Sequence, residues 1–146
     1  MRIFVWPARA YVPGVTKRHP DGLFDNLCAT AEPGMTNQEL ADSDAWSSAH
    51  GYFQAGYFWE ARQVWRAVCA YIPPQSEDWL VGQAAIQLAD AGLHVRMGKA
   101  QEALALCDQV EAYMLGLRGV IMNLSANWFA EQIALVREEA KESFTD

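Results

Sequence analysis

The sequence has little cysteine, no long hydrophobic run and no excess of positive charge. Its three cysteines, Cys28, Cys69 and Cys107, are far apart and form no CxxC pair, which indicates reduced thiols rather than a disulfide framework. No apolar run reaches the roughly 18 residues of a membrane-spanning helix, and the apolar start is too short for a signal peptide. We therefore expect a soluble, cytoplasmic protein that has no membrane partner.

The net charge of -7 argues against nucleic acid as a partner, because phosphate binding depends on clustered lysine and arginine. The charge is uneven, since the first 20 residues contain four basic side chains and no acidic one. A basic arm that lies across an acidic bundle is one interpretation of this asymmetry. An arm that binds phosphate or another partner is the alternative.

The composition predicts one domain with a substantial core, since 51% of the 146 residues are hydrophobic. No stretch alternates apolar and polar residues with β-branched enrichment, so we expect no sheet beyond a fragment in the first residues. Pro7, Pro13 and Pro20 predict that residues 1–20 form an extended arm, with a turn at residues 11–14. Residues 21–146 are expected to form a compact all-α bundle of about five to six helices.

Glycine and proline breaks divide this bundle into helical segments, with helix caps predicted at Thr36 or Asn37 and at Ser76. The predicted helices cover residues 23–31, 37–54 with an interruption near 42–44, 58–71, 79–98, 99–117 and 120–142. The helix over 79–98 is apolar on nearly all sides, which is typical of a buried helix. At 100° per residue its polar side chains fall within about 60° of one another; they are Gln83, Gln87, Asp90 and His94.

Glu60 lies in the middle of an apolar arc of the helix over 58–71, whereas Arg62 and Arg66 lie on the other side, placed for solvent. We expect helix packing to bring Glu60 toward the polar line, with Gln63 and His50 as further members of one polar pocket. A buried polar line needs partners, because an unpaired buried amide costs about 1–3 kcal/mol. His19, in the proline-rich arm, is expected to be an ordinary surface residue.

Three segments, read together, resemble a known family. They are YVPGVTKRHPDGLFD, the segment that starts at Gly56, and AAIQLADAGLHVRMGKAQEALALCDQ, within residues 11–115. The chain resembles the bacterial and archaeal "domain of unknown function 309" family, whose members carry a tyrosine-valine-proline-glycine arm, a helix reading FEAHEVWE and a second helix similar to LIQLANAALKLRMG. The resemblance implies a compact all-α bundle and carries the family label of a predicted metal-dependent hydrolase.

The family label rests on the histidine and glutamates of the FEAHEVWE helix, and this chain departs from that pattern. It keeps Glu60 but has Arg62 where the family has its histidine, and Gln63 and Arg66 at the positions of the later glutamates. An arginine cannot ligate a divalent metal and glutamine is a poor oxygen donor. On the second helix, Asp90 and His94 take the places of asparagine and lysine, which would make this chain a divergent member.

Two function classes remain open. The first, which we prefer, is a non-catalytic binding or interaction module with a buried polar network, for a small ligand or a protein. A second copy of the chain is one such partner, through Trp59 and its neighbouring arginines. The alternative is a metal-dependent hydrolase that uses Glu60, Asp90 and His94 around a divalent cation. No GxSxG, P-loop or HExxH motif occurs to support another chemistry.

Overall fold

The computed structural model describes residues 6–144, which form seven α-helices and one short hairpin. The helices are α1 (Asp25–Cys28), α2 (Asn37–Ala41), α3 (Asp44–Gln54), α4 (Phe58–Cys69), α5 (Glu77–Arg96), α6 (Ala100–Met114) and α7 (Ala126–Glu142). The strands β1 (Val120–Ile121) and β2 (Leu124–Ser125) pair antiparallel between α6 and α7. The predicted all-α bundle is confirmed. The predicted segment 37–54 forms two helices, α2 and α3, so residues 6–144 contain seven helices rather than the expected five to six.

Serine and threonine side chains start several of the helices. The Thr36 side chain accepts a hydrogen bond from the Glu39 backbone N–H at 3.1 Å, and the Glu39 carboxylate accepts one from the Thr36 N–H at 2.9 Å. Ser76 caps α5 by accepting from the Trp79 N–H at 3.1 Å. Such caps satisfy backbone donors that have no partner within the helix. The helix starts predicted near residues 36 and 76 are therefore confirmed.

Helix α5 lies at the centre of the bundle and packs against α4, α6 and α7. It is buried on several sides, as its apolar sequence predicted. Two glycines bring α4 close to it: a Cβ on Gly82 would lie 2.4 Å from Cys69 Sγ, and one on Gly92 would lie 2.8 Å from the Phe58 ring. This close approach fixes the rotation of α4, which carries the main polar residues of the site.

The last predicted helix begins later than the sequence suggested, at Ala126 rather than near Val120. Met122 and Asn123 both have positive φ, 52° and 60°, as in the type I′ turns that close two-residue hairpins. Tertiary hydrogen bonds hold this turn. Trp46 Nε1 donates to the Met122 carbonyl at 2.8 Å, and the Asn123 amide donates to the Ala41 carbonyl at 3.0 Å.

The arm from residue 6 to residue 20 contains no helix or strand and crosses α3 and α4. Its predicted turn is present, shifted slightly along the chain: the Val12 carbonyl accepts from the N–H groups of Val15 and Thr16, both at 2.9 Å. Gly14 allows the turn because its φ is +80°. The strand fragment expected in the first residues lies outside the described part. Within residues 6–144 no helix is long and apolar enough to cross a membrane.

Candidate functional site

Glu60 is the buried acid of the bundle, with a fully covered side chain in the first turn of α4. Its Oε2 accepts a hydrogen bond from the Tyr11 backbone N–H at 2.7 Å and lies 2.5 Å from His19 Nε2. We assign the Nε2–H of His19 as the donor of this contact, because a carboxylate accepts hydrogen bonds and does not donate them. We call Tyr11, His19 and Glu60 the arm anchor, because they hold the arm on the bundle.

Aromatic rings enclose the arm anchor. The Tyr11 ring meets the Trp59 ring edge-on at 5.0 Å, and the His19 ring lies 6.0 Å from Trp59 and 6.1 Å from Phe24, measured between centroids. These rings leave only 7% of the His19 side chain exposed. Trp59, which the sequence suggested for an interface, is thus half-buried against the arm.

The arm anchor leaves two polar atoms without a protein partner in the described part of the chain. Glu60 Oε1 is completely buried and accepts no hydrogen bond. His19 Nδ1 makes no hydrogen bond within the described residues, and the His19 side chain as a whole is 7% exposed. Buried polar groups in folded proteins are nearly always paired, and Glu60 Oε1 is an exception among the described residues.

His19 opens onto a cavity of about 220 Å³ that lies between the arm, α1 and α4. Phe24 and Trp59 contribute apolar walls. Its polar lining comes from Arg18, His19, Asp21, Asp25 and Gln63. We call this space the arm cavity.

Cys28 also lines the arm cavity. Burial, and then the nearby Asp25 carboxylate, raise the pKa of the Cys28 thiol above its ordinary value. A thiol whose pKa is raised is a poor nucleophile at neutral pH, because the reactive species is the thiolate.

A second polar cluster joins α4 to α5. Arg62 Nη1 donates to Asp90 Oδ1 at 2.6 Å, and His94 Nδ1 donates to the Asp90 backbone carbonyl at 2.7 Å. We call Arg62, Asp90 and His94 the α4–α5 network. Their side chains are 20%, 26% and 23% exposed, so water reaches all three. Arg62 therefore faces Asp90, whereas the sequence placed it in solvent like Arg66, which is exposed.

The structure divides the residues that were expected in one polar pocket among several places. Glu60 points to the arm while Arg62 points to α5, because two residues along a helix turn the side chain by about 200°. Gln63 lines the arm cavity, and His50 lies 5.3 Å from the Trp128 ring on α7.

The remaining two glutamines of that expected pocket lie on α5 and find no partners. Gln83 and Gln87 are half-buried, and neither makes a side-chain hydrogen bond within residues 6–144. Glu60 therefore does not accept from Gln87, which the network interpretation of the sequence had paired with it.

The residues of the predicted metal site do not fit a divalent cation. Asp90 is already neutralised by the Arg62 guanidinium, whose positive charge opposes a second cation at that carboxylate. Glu60 belongs to the arm anchor, on another side of α4. Among the described residues no group of three or more histidine, cysteine, aspartate and glutamate side chains could hold a metal ion. We therefore derive no metal-dependent step from Glu60, Asp90 and His94.

His19 is the residue that sequence reasoning missed. It lies in an irregular segment, where no helical or strand period indicates which side chains are buried. Its partner Glu60 is 41 residues away, and that pairing depends on where the arm crosses α4. The proline that follows His19 was the only local signal, and it indicates an extended backbone rather than a buried side chain.

Comparison with known proteins finds no matching family model, no matching curated protein and no matching solved structure. The resemblance to the domain of unknown function 309 family therefore stays a prediction based on the sequence segments alone.

Proposed function

We propose that this chain is a non-catalytic binding module and that the arm cavity is its ligand site. One observation carries the proposal: His19, which Glu60 holds at Nε2, lines the cavity. A polar side chain held in one orientation at the wall of a cavity is a preorganised recognition group, which binds with little loss of conformational entropy.

Binding is favoured over covalent chemistry by the lining of the arm cavity. Among the described residues that form its wall there is no serine, threonine or lysine. The one thiol there, Cys28, has a raised pKa and is held in its protonated form. The cavity therefore offers hydrogen bonds and apolar contacts but lacks an activated nucleophile.

The size of the arm cavity supports a small-molecule ligand. Its volume of about 220 Å³ is below the roughly 300–1,000 Å³ of sites that enclose drug-sized ligands. The hydrolase alternative, built on Glu60, Asp90 and His94, lacks a supporting observation because these residues belong to two separate clusters. A protein partner, self-association and a cytoplasmic location stay predictions.

A fragment screen by ligand-observed NMR tests the proposal. A variant that fills the cavity, Gln63→Trp, is compared with Arg66→Trp, which places the same ring on the exposed surface of α4. At least one fragment should bind the natural chain and Arg66→Trp but lose binding in Gln63→Trp. Both variants are checked for a native circular dichroism spectrum. The proposal fails if no fragment distinguishes Gln63→Trp from Arg66→Trp.

A further inference from the structure

We infer that the arm cavity binds a small organic ammonium ion. This inference rests on the proposed binding function and narrows its ligand to one chemical class. Three features of the cavity point to a cation that donates hydrogen bonds: an acceptor at His19, an excess of carboxylates and the aromatic walls.

The first feature is the acceptor. Because the Nε2–H of His19 is directed at Glu60, the neutral tautomer has its lone pair on Nδ1, on a ring that lines the cavity. An ammonium N–H can donate a hydrogen bond to this lone pair.

The second feature is the local charge. Asp21 and Asp25 line the cavity against one basic side chain, Arg18. Behind His19, the Glu60 carboxylate receives only a ring N–H and a backbone N–H, and its Oε1 has no partner in residues 6–144. An ammonium ion in the cavity would balance the two carboxylates of its lining.

The third feature is the wall. Phe24 and Trp59 both line the cavity and both contact the His19 ring. Aromatic faces attract organic cations through the ring quadrupole and also accept the carbon skeleton of the ligand. The wall therefore favours an ammonium ion that carries an apolar group over a bare inorganic cation.

Three probes of nearly equal shape test the ligand class: benzylamine, benzyl alcohol and benzoate, which are cationic, neutral and anionic at pH 7.5. Their dissociation constants for the natural chain are measured by NMR titration. Benzylamine should bind roughly tenfold more tightly than either of the other two. Propylamine, 1-propanol and propionate form a second set without the ring and should show the same order.

The charge argument is tested with the double variant Asp21→Asn, Asp25→Asn, whose changes lie at exposed positions. It should weaken benzylamine binding several-fold and leave benzyl alcohol binding unchanged. The matched control is Glu138→Gln, which removes one exposed carboxylate on α7, outside the cavity lining, and should leave both unchanged.

Equal binding of the three probes, tighter binding of benzoate, or no saturable binding of either amine would overturn the ammonium inference. The proposed function is decided separately, by the fragments that lose binding in Gln63→Trp. If a neutral or anionic fragment loses binding in Gln63→Trp but keeps it in Arg66→Trp, the proposed binding function stands and the ammonium inference fails.

Discussion

The arm anchor and the α4–α5 network both begin on α4, two residues apart, but they lie on different sides of that helix. Glu60 of the anchor is fully buried and His19 is 7% exposed. In the network, the Arg62 and Asp90 side chains keep 20% and 26% of their surface in water. The two clusters make hydrogen bonds of similar length, 2.5 Å and 2.6 Å. They therefore differ in their exposure to water and not in the length of these bonds.

This difference determines what each cluster contributes to stability. A buried carboxylate that loses its donors has no water to replace them, so the energetic cost is large. A partly exposed ion pair exchanges its partner for water at lower cost and is weakened by salt. We therefore expect the arm anchor to control folding and the position of the arm, and the α4–α5 network to contribute little.

The largest effect is expected from Glu60→Ala. It leaves the Tyr11 N–H and His19 without their acceptor and creates a space beside α4, so the free energy of unfolding should fall by about 3 kcal/mol. Urea denaturation measures this change. Glu60→Gln retains an acceptor oxygen and should cost less than Glu60→Ala. If the free energy of unfolding of Glu60→Ala is within about 0.5 kcal/mol of that of the natural chain, the arm anchor does not contribute the predicted stability.

Release of the arm is the next effect, and proteolysis measures it. Lys17 and Arg18 are exposed sites for trypsin beside His19. In His19→Ala the arm loses a contact to Glu60, and a loss of about 1.4 kcal/mol raises the open population, and with it the cleavage rate, about tenfold. His94→Ala, in the α4–α5 network, is the matched control and should be cleaved at the natural rate. Equal rates in the two variants would remove the distinction between the clusters.

A smaller effect is expected from Asp90→Ala, which breaks the pair with Arg62. Because both side chains are partly hydrated, the loss should be below about 1 kcal/mol and should shrink further in 1 M salt. Urea denaturation at low and high salt measures both quantities. Asp90→Asn separates loss of charge from loss of the hydrogen bond. A salt-independent loss larger than that of Glu60→Ala would reverse the comparison.

The smallest effect concerns His50, a partly buried histidine packed on Trp128. Burial lowers the pKa of His50 in the folded chain, so the unfolded chain binds the proton more readily. Stability therefore falls as the pH drops below about 6.5, the pKa of an unperturbed histidine. His50→Phe should flatten this part of the stability profile, measured by thermal unfolding between pH 7.5 and 5.5. An unchanged slope in His50→Phe would contradict the prediction.

Much of the fold could be predicted because helices carry local signals. Thr36 and Ser76 mark helix starts by their capping side chains, and the apolar residues around α5 indicate a helix buried on several sides. The apolar arc around Glu60 predicted a buried acid, and Glu60 is fully covered. The hairpin before α7 was missed, because its turn uses positive φ at Met122 and Asn123 and is held by hydrogen bonds from distant residues.

The site could be predicted only in part. Periodicity indicates which side of a helix is apolar, but it contains no information on which neighbour meets that side. Glu60 was expected to face Asp90 and His94, whereas the described structure gives it Tyr11 and His19 from the arm. Asp90 pairs with Arg62 instead, because the rotation of α4 against α5 brings the Arg62 and Asp90 side chains together.

The sequence by itself determined the helical class, the capped helix starts and the burial of Glu60, since each depends on residues close together along the chain. Only the tertiary structure decided that His19 is the partner of Glu60, that His19 lines a cavity, and that Arg62 neutralises Asp90. Those outcomes depend on how the irregular arm and two helices pack. Packing is set by side chains far apart in the chain, for which no local pattern exists.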